Sequence, residues 1–406
     1  MKRPALPFVL LLIPLLVPLL GCPAAAPTEH YGFVTTLGND TVAVERIARS
    51  PTRLVDDGVD QWPFVRRRHT ELELAPDGSI RHMVMEVRTP NGRTPAERGR
   101  RVTADMAQGR VSISVRDSGG TRDTSFATGN AITVPHVSMM YSVIELEIAA
   151  ALQRAAASGL HPGDSVMFRQ FYPDRDVGPS FVLHRGWVIP RDSGKVELRH
   201  NWLSGTGDVT TDSAGRMLSY SGMRSTYKVA VARTTTPPDV DSLEARLAAA
   251  ERSTGLQQTS PRDTARGTIG SATFAVDYGR PLARGRVLLG NVITYDRVWR
   301  TGANAATQLT TSAPITLAGL PVPAGTYTLW TVPHTNGVEL IVNRQTGQWG
   351  TEYSRAQDLG KAPMQSDSSA APVEKFTISI EPKDARHGSL AMAWGTFRWT
   401  APIMVQ

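Results

Sequence analysis

Glu71-Leu72-Glu73-Leu74, the turn pair Asp77-Gly78 and Met83-Val84-Met85-Glu86-Val87 decide the fold of the first half of the chain. Apolar and polar residues largely alternate, and in a β-strand that period puts the apolar side chains on one face. Asp-Gly between two such runs marks a tight hairpin turn. The pattern recurs outward in both directions. Thr41-Val42-Ala43-Val44-Glu45-Arg46-Ile47, Val111-Ser112-Ile113-Ser114-Val115 and Lys195-Val196-Glu197-Leu198 alternate likewise. Asn39-Asp40, Gln108-Gly109, Ser193-Gly194 and Ala214-Gly215 punctuate them. Residues 29–236 therefore read as an antiparallel meander with one buried face.

One segment breaks the period. Between His136 and Ser158, Met140, Ile144, Ile148 and Leu152 stand four apart, as on one helical face, and Gly159 supplies a stop. A meander folded around one central helix is similar to the half-barrel of periplasmic lipoprotein carriers, a likeness of fold alone. Two uses of the helix stay open. It covers an acyl chain or other apolar ligand, or it fills the concave face as core with Met83, Met85, Met139 and Met140. Arg66-Arg67-Arg68-His69 predicts a solvated strand edge that discourages aggregation, with lipid headgroup binding as the other reading. Arg98 to Arg101 reads as a charged loop.

Pro237-Pro238 closes this domain. Residues 237–264 read as a linker with a short helix. Asp241 and Glu244 resemble a capping box, Leu243, Leu247 and Ala250 form the apolar face, and Gly255 ends it. Strands resume in Thr273-Phe274-Ala275-Val276, Tyr327-Thr328-Leu329-Trp330 and Val338-Glu339-Leu340-Ile341-Val342. Lys375 to Ile380 and Leu390 to Trp394 follow, with Phe376, Ile378 and Ile380 on one face and Leu390, Met392 and Trp394 on another. Gly395-Thr396 is expected to turn a final hairpin. Residues 265–406 thus read as an antiparallel β-sandwich of jelly-roll kind, and the fold class is mainly β.

Between those strands lies a crowd of residues that packing alone does not demand. Tyr278-Gly279-Arg280-Pro281 leads to Arg286, then to Val298-Trp299-Arg300-Thr301-Gly302-Ala303-Asn304-Ala305-Ala306-Thr307. Pro323-Ala324-Gly325-Thr326-Tyr327 and Gly347-Gln348-Trp349-Gly350-Thr351-Glu352-Tyr353 come after. Gly279 and Gly302 suit backbone angles that side chains resist. Arginine offers a planar fork of donors matched to carboxylates and phosphates. Either these residues pin strand ends in a buried polar network, or they form a ligand site at loop tips. The candidate ligand-binding residues are Tyr278, Arg280, Arg286, Trp299, Arg300, Asn304, Trp349 and Glu352. The ordered run of motifs, over roughly residues 265–404, resembles a bacterial family known only as domain of unknown function 2911. That resemblance implies no activity and assigns no catalytic residue.

The chain begins with Lys2-Arg3, an apolar stretch from Ala5 to Leu20, and Leu19-Leu20-Gly21-Cys22. This is the pattern of a secretory signal, and Pro7, Pro14 and Pro18 disfavour a spanning helix within it. The sole cysteine follows a small residue at the end of the leader, which resembles the bacterial lipobox. The resemblance implies cleavage before Cys22 and acylation there. Residues 23–28 would be a tether, and Pro23, not aspartate, implies outer-membrane placement facing the periplasm.

The 406 residues suit two or three domains, and one cysteine excludes an intramolecular disulfide. The net charge of +7 falls to +5 without Lys2 and Arg3, and no dense basic stripe argues for nucleic acid. Nucleophile elbows, zinc spacings, phosphate loops and dinucleotide fingerprints do not occur. Adjacent acids such as Asp56-Asp57 point to opposite strand faces. The reading assigns no catalytic residue, no cofactor and no metal. It expects an exported, membrane-moored protein that binds an envelope glycan, lipid or protein partner. A hydrolase using Asp277, Arg280, Arg300 or Glu352, and a lipid carrier using the first domain, are the alternatives.

Overall fold

The computed structural model describes residues 27–61, 64–107, 109–129, 131–173, 184–200, 205–254 and 260–406. Cys22, the leader and residues 23–26 of the tether lie outside the described residues. The chain is mainly β, in two sheets that are antiparallel apart from one strand pair.

The first eight strands are β1 (Glu29–Leu37), β2 (Asp40–Arg49), β3 (Arg53–Gln61), β4 (Val65–Leu74), β5 (Ile80–Arg88), β6 (Gly99–Ala107), β7 (Arg110–Asp117) and β8 (Gly120–Ala127). A one-turn helix, α1 (Pro95–Arg98), sits between β5 and β6. Next come β9 (Ile132–Pro135), α2 (Tyr141–Ala157), β10 (Val166–Phe171), β11 (His184–Pro190), β12 (Lys195–His200), β13 (Thr206–Thr211), β14 (Met217–Ser221) and β15 (Ala230–Thr234). These strands make one sheet of 15, with β1 beside β15 near its middle and β8 and β9 at its ends. The meander is antiparallel throughout except at β9 and β10, which are parallel. A parallel pair needs a long crossover, and α2 is that crossover.

α2 lies against the inner face of the sheet. Tyr31, Phe33, Leu72, Met83, Met85, Phe168 and Leu198 form one core with Val143, Ile144, Leu146 and Ile148. The helix starts at Tyr141, five residues after the expected His136. Its first residues carry no side-chain cap of their own. Glu45 of β2 supplies the cap from across the sheet, accepting the Tyr141 and Ser142 backbone N–H groups at 2.8 and 3.0 Å. Ser142 Oγ donates to Asp56, whose neighbour Asp57 faces the other side, as the alternation predicts.

Two charged stretches differ from expectation. Arg66-Arg67-Arg68 is no edge: β4 lies between β3 and β5. Arg68 and Arg66 turn inward onto the buried Asp60, and Arg67 turns outward to Asp241 at 2.9 Å. Arg98 to Arg101 is no loop: Arg98 ends α1, where Thr94 and Glu97 form a capping box, and residues 99–101 open β6.

α3 (Val240–Thr254) packs on the outer face of β2, β3 and β4 through Val240, Leu243, Leu247 and Ala248, with Ala250 exposed. Its start is fixed by Asp239, which accepts from Ser242 N and Oγ. Asp241 and Glu244 face Arg67 and Arg88 instead.

The second sheet contains β16 (Arg262–Ile269), β17 (Ala272–Gly279), β18 (Thr307–Thr311), β19 (Ile315–Leu317), β20 (Leu320–Val322), β21 (Gly325–His334), β22 (Gly337–Asn343), β23 (Asp358–Pro382) and β24 (His387–Val405). Its order is β16-β17-β18-β21-β22-β23-β24-β19-β20. The two layers are continuous through β23, which pairs with β22 over residues 358–364 and with β24 from 365 onward. Phe274, Val276, Leu329, Leu340, Phe376, Ile378, Leu390, Met392 and Trp394 fill the space between them. Gly395-Thr396 makes no hairpin. β24 runs through it, and Gly395 at φ +56 absorbs a register shift against β23.

The β1–β2 turn meets the second unit. Asn39 N donates to Arg284 O at 2.9 Å, and Arg284 pairs with Asp40. Gly38 is needed there: its φ is +65, and a Cβ would stand 2.2 Å from Arg284 O.

Candidate functional site

The signature loops with the candidate residues join β17 to β18 and β22 to β23, and the structure divides their residues into two groups. Four of the eight candidates are structural. Tyr278 is 1% exposed, and its hydroxyl accepts the Ile378 N–H at 3.0 Å. Arg280 is fully engaged: Nη1 with Asp263 at 2.8 Å, Nη2 to Thr377 Oγ1 at 2.9 Å and Nε to Phe376 O at 3.1 Å. Arg286 turns back on its own loop, donating to Ala283 O and Leu282 O. Trp299 is part of the core wall, stacked on Trp394 and edge-on to Phe376 and Trp399.

The other four converge. Arg300 Nη1 donates to Asn304 O at 3.2 Å, and Gly350 N donates to the same oxygen at 3.0 Å. Gly350 is there because a Cβ would lie 2.4 Å from Arg300 Cδ, so the arginine stem runs flat over bare backbone. Trp349 precedes it and is 50% exposed. Glu352 closes the turn, accepting from Trp349 N while its own N donates to Trp349 O.

Just after Arg300 two residues stand in the left-handed region, Thr301 at φ +51 and Asn304 at φ +62. For a β-branched residue that conformation is a true outlier and costs of order 1–3 kcal/mol. Thr301 is held in it from both sides: its hydroxyl meets Thr331 Oγ1, and its carbonyl accepts from Thr307 Oγ1 at 2.7 Å. Gly302 has φ +155, as the sequence suggests. Gly279 serves another end. Its backbone is not left-handed, but a Cβ would lie 2.1 Å from Ala303 O. It leaves room for the Arg300 loop to close over β17.

Charge divides the arginines of this unit. Arg262, Arg280, Arg284 and Arg398 each meet a carboxylate. Arg300 and Arg286 meet none among the described residues, and burial holds both guanidinium groups below the usual arginine range. Lys228, from the loop before β15, is held down to about 8, first by burial and then by the charges of Arg286 and Arg300. The surroundings of Arg300 are therefore positive and partly dry, which favours an anion.

Sequence reasoning missed the network behind Trp349. Thr328 Oγ1 accepts from Trp330 Nε1 and Gln348 Nε2, both at 3.1 Å. Asn343 links Ser354 O to Asp358, and Tyr353 OH donates to Asp358 at 2.7 Å. Trp330, Gln348 and Tyr353 lay inside the quoted motifs. Asn343 and Asp358 carried no local signal.

The carboxylates proposed for hydrolysis are occupied. Asp277 pairs with Arg262 at 2.9 Å, and Glu352 holds its turn. In the first domain, the space beside α2 lined by His136, Tyr141, Leu198, His200 and Tyr220 measures about 10 Å³. That is room for about one water and not for an acyl chain. Among the described residues no three His, Cys, Asp or Glu side chains gather as a metal would need. No helix there is long and apolar enough to cross a membrane.

Residues 260–403 match the model of a family described as a protein of unknown function, DUF2911. No curated protein matches the chain. Among solved structures, a DUF1089 family protein from Pseudomonas aeruginosa is similar over 46% of this chain and 92% of its own, at 13% identity and a TM-score of 0.33. Botulinum neurotoxin type C, whose cell entry depends on interaction with two ganglioside molecules, aligns over 94% of this chain and 87% of its own, at 7% identity and a TM-score of 0.11.

Proposed function

We propose that this chain is a non-enzymatic envelope lipoprotein, moored through Cys22, whose C-terminal sandwich binds a small carboxylate-bearing glycan or peptide. The ligand would lie over the Trp349 indole with its carboxylate on Arg300. One observation carries this reading: a partly buried guanidinium without a carboxylate partner among the described residues stands beside a half-exposed tryptophan. Arginine matches a carboxylate with two parallel donors, and an indole face suits a sugar ring or peptide plane. The strained, well-braced loop fixes the guanidinium in advance, which lowers the entropy lost on binding.

Calorimetric titration of carboxylate-bearing cell-wall fragments into the chain tests the site. Arg300→Ala and Trp349→Ala should each weaken binding at least tenfold while the fold is kept. Arg300→Lys should restore little, because it loses the fork. Binding by both alanine variants at wild-type strength would end the proposal. The anchor has its own test: a fatty-acid probe should label the chain, and Cys22→Ser should abolish labelling.

A further inference from the structure

The outer face of the first sheet carries an arrangement of charge that folding alone does not favour. Asp57, His69, Glu86, Arg101 and Arg116 stand directly opposite one another across β3 to β7. In the next row Arg67 stands opposite Arg88. Arg67 against Arg88 and Arg101 against Arg116 are like charges in direct cross-strand pairs, which destabilise a sheet. Partners relieve most of them: Asp241 and Glu244 of α3 take Arg67, Glu244 takes Arg88, and Glu86 takes Arg101. Arg116 and Arg98 are exposed and have no ion pair among the described residues. Together these groups line a shallow basin of about 740 Å³.

We infer that this basin is a docking surface for the phosphate headgroups of an anionic lipid bilayer. Repelling arginines gain most from an external anion, and Arg98 and Arg116 have donors to offer it. The choice of a membrane rests on the anchor reading at Cys22. Seven Cα-to-Cα steps lead from Cys22 to Glu29, where β1 begins, a reach of roughly 25 Å at most. In the sheet β1 is two strands from β3 and six from β7, so the basin lies about 10 to about 29 Å from it. A tether that short keeps the basin within reach of headgroups, and the docked face would fix which way the sandwich and its Arg300 site point.

The test uses the chain from Pro23 to Gln406, which keeps every described residue and carries no acylation site. Failure of docking is thereby separate from failure of the anchor. Sedimentation with vesicles of phosphatidylcholine, with or without phosphatidylglycerol, should show binding only to the anionic ones, falling as salt rises. Each basic side chain near such a surface is worth roughly fivefold, so Arg98→Ala/Arg116→Ala should weaken binding by about thirtyfold. Both residues are exposed, and unchanged circular dichroism would show that the variant folds. Equal binding to both vesicle types, or wild-type binding by the double variant, would overturn the inference. So would release of the chain by inorganic phosphate well beyond that by sodium chloride at the same ionic strength, which would make the basin a site for soluble anions.

Discussion

Glu145→Ala is the most searching perturbation of the first domain. Glu145 is 0% exposed, and its carboxylate accepts from four donors: Tyr31 Oη at 2.7 Å, Arg49 Nη1 at 3.0 Å, Arg233 Nη1 at 2.6 Å and Met217 N at 3.0 Å. Those groups come from β1, β2, β15 and β14, so one side chain on α2 ties the helix to the middle of the sheet. Breaking a buried ion pair from one side costs about 3–5 kcal/mol, because the partner charge stays buried. Two features moderate the loss here. Arg233 keeps Glu29 at 2.7 Å and the Tyr31 ring at 3.6 Å, and the Arg49 side chain is 25% exposed and can rehydrate. The expected cost is about 3 kcal/mol. Urea titration followed by amide exchange of β1 and β15 reads this domain apart from the sandwich. A loss under about 1 kcal/mol would refute the view of Glu145 as the hub that seats the helix.

Three further outcomes are expected. Burial raises the Glu147 carboxyl well above its ordinary value of 4.5, with Gln170 Nε2 at 2.9 Å as its donor. A carboxyl raised on folding stabilises the fold fully below the unfolded value, so stability falls as pH climbs past about 4.5. Glu147→Gln should flatten part of that fall in urea midpoints measured across pH, and an identical profile would contradict it. Gly279→Ala forces a methyl against Ala303 O and should cost the sandwich about 1–3 kcal/mol, with unchanged unfolding as the adverse result. Gly38→Ala should part the β1–β2 turn from Arg284 and enlarge the radius of gyration in small-angle scattering. An unchanged radius would show that the turn does not hold the two units together.

The strands were legible because each shows one face to a core, and the sites of Gly302 and the Ser193-Gly194 turn carry their own backbone signal. α2 was legible as a helix that could fill the concave face, but not as one buried on its polar side too. Both Glu145 and Glu147 are 0% exposed, and periodicity assigns such residues to water. Its cap was invisible for a similar reason: Glu45 lies about a hundred residues away in sequence. The basic run at Arg66 to Arg68 looked like an edge because its counter-charges, Asp60 and Asp241, sit on other elements. At the candidate site, residue types pointed to the loops but could not sort clamped side chains from open ones. Arg280 and Arg300 carry the same side chain in neighbouring motifs; Asp263, Thr377 and the Phe376 carbonyl clamp the first, and the second donates to the Asn304 carbonyl and meets no carboxylate among the described residues.

What the sequence determined by itself was the β-rich class, the helix inside the meander and the second helix after Pro238, because alternation and turn chemistry act over a few residues. The tertiary structure decided which charges are neutralised, that the space between α2 and His200 holds about one water, and which arginines meet a carboxylate. Those depend on partners brought from distant strands, and the energy of a charge depends on what surrounds it.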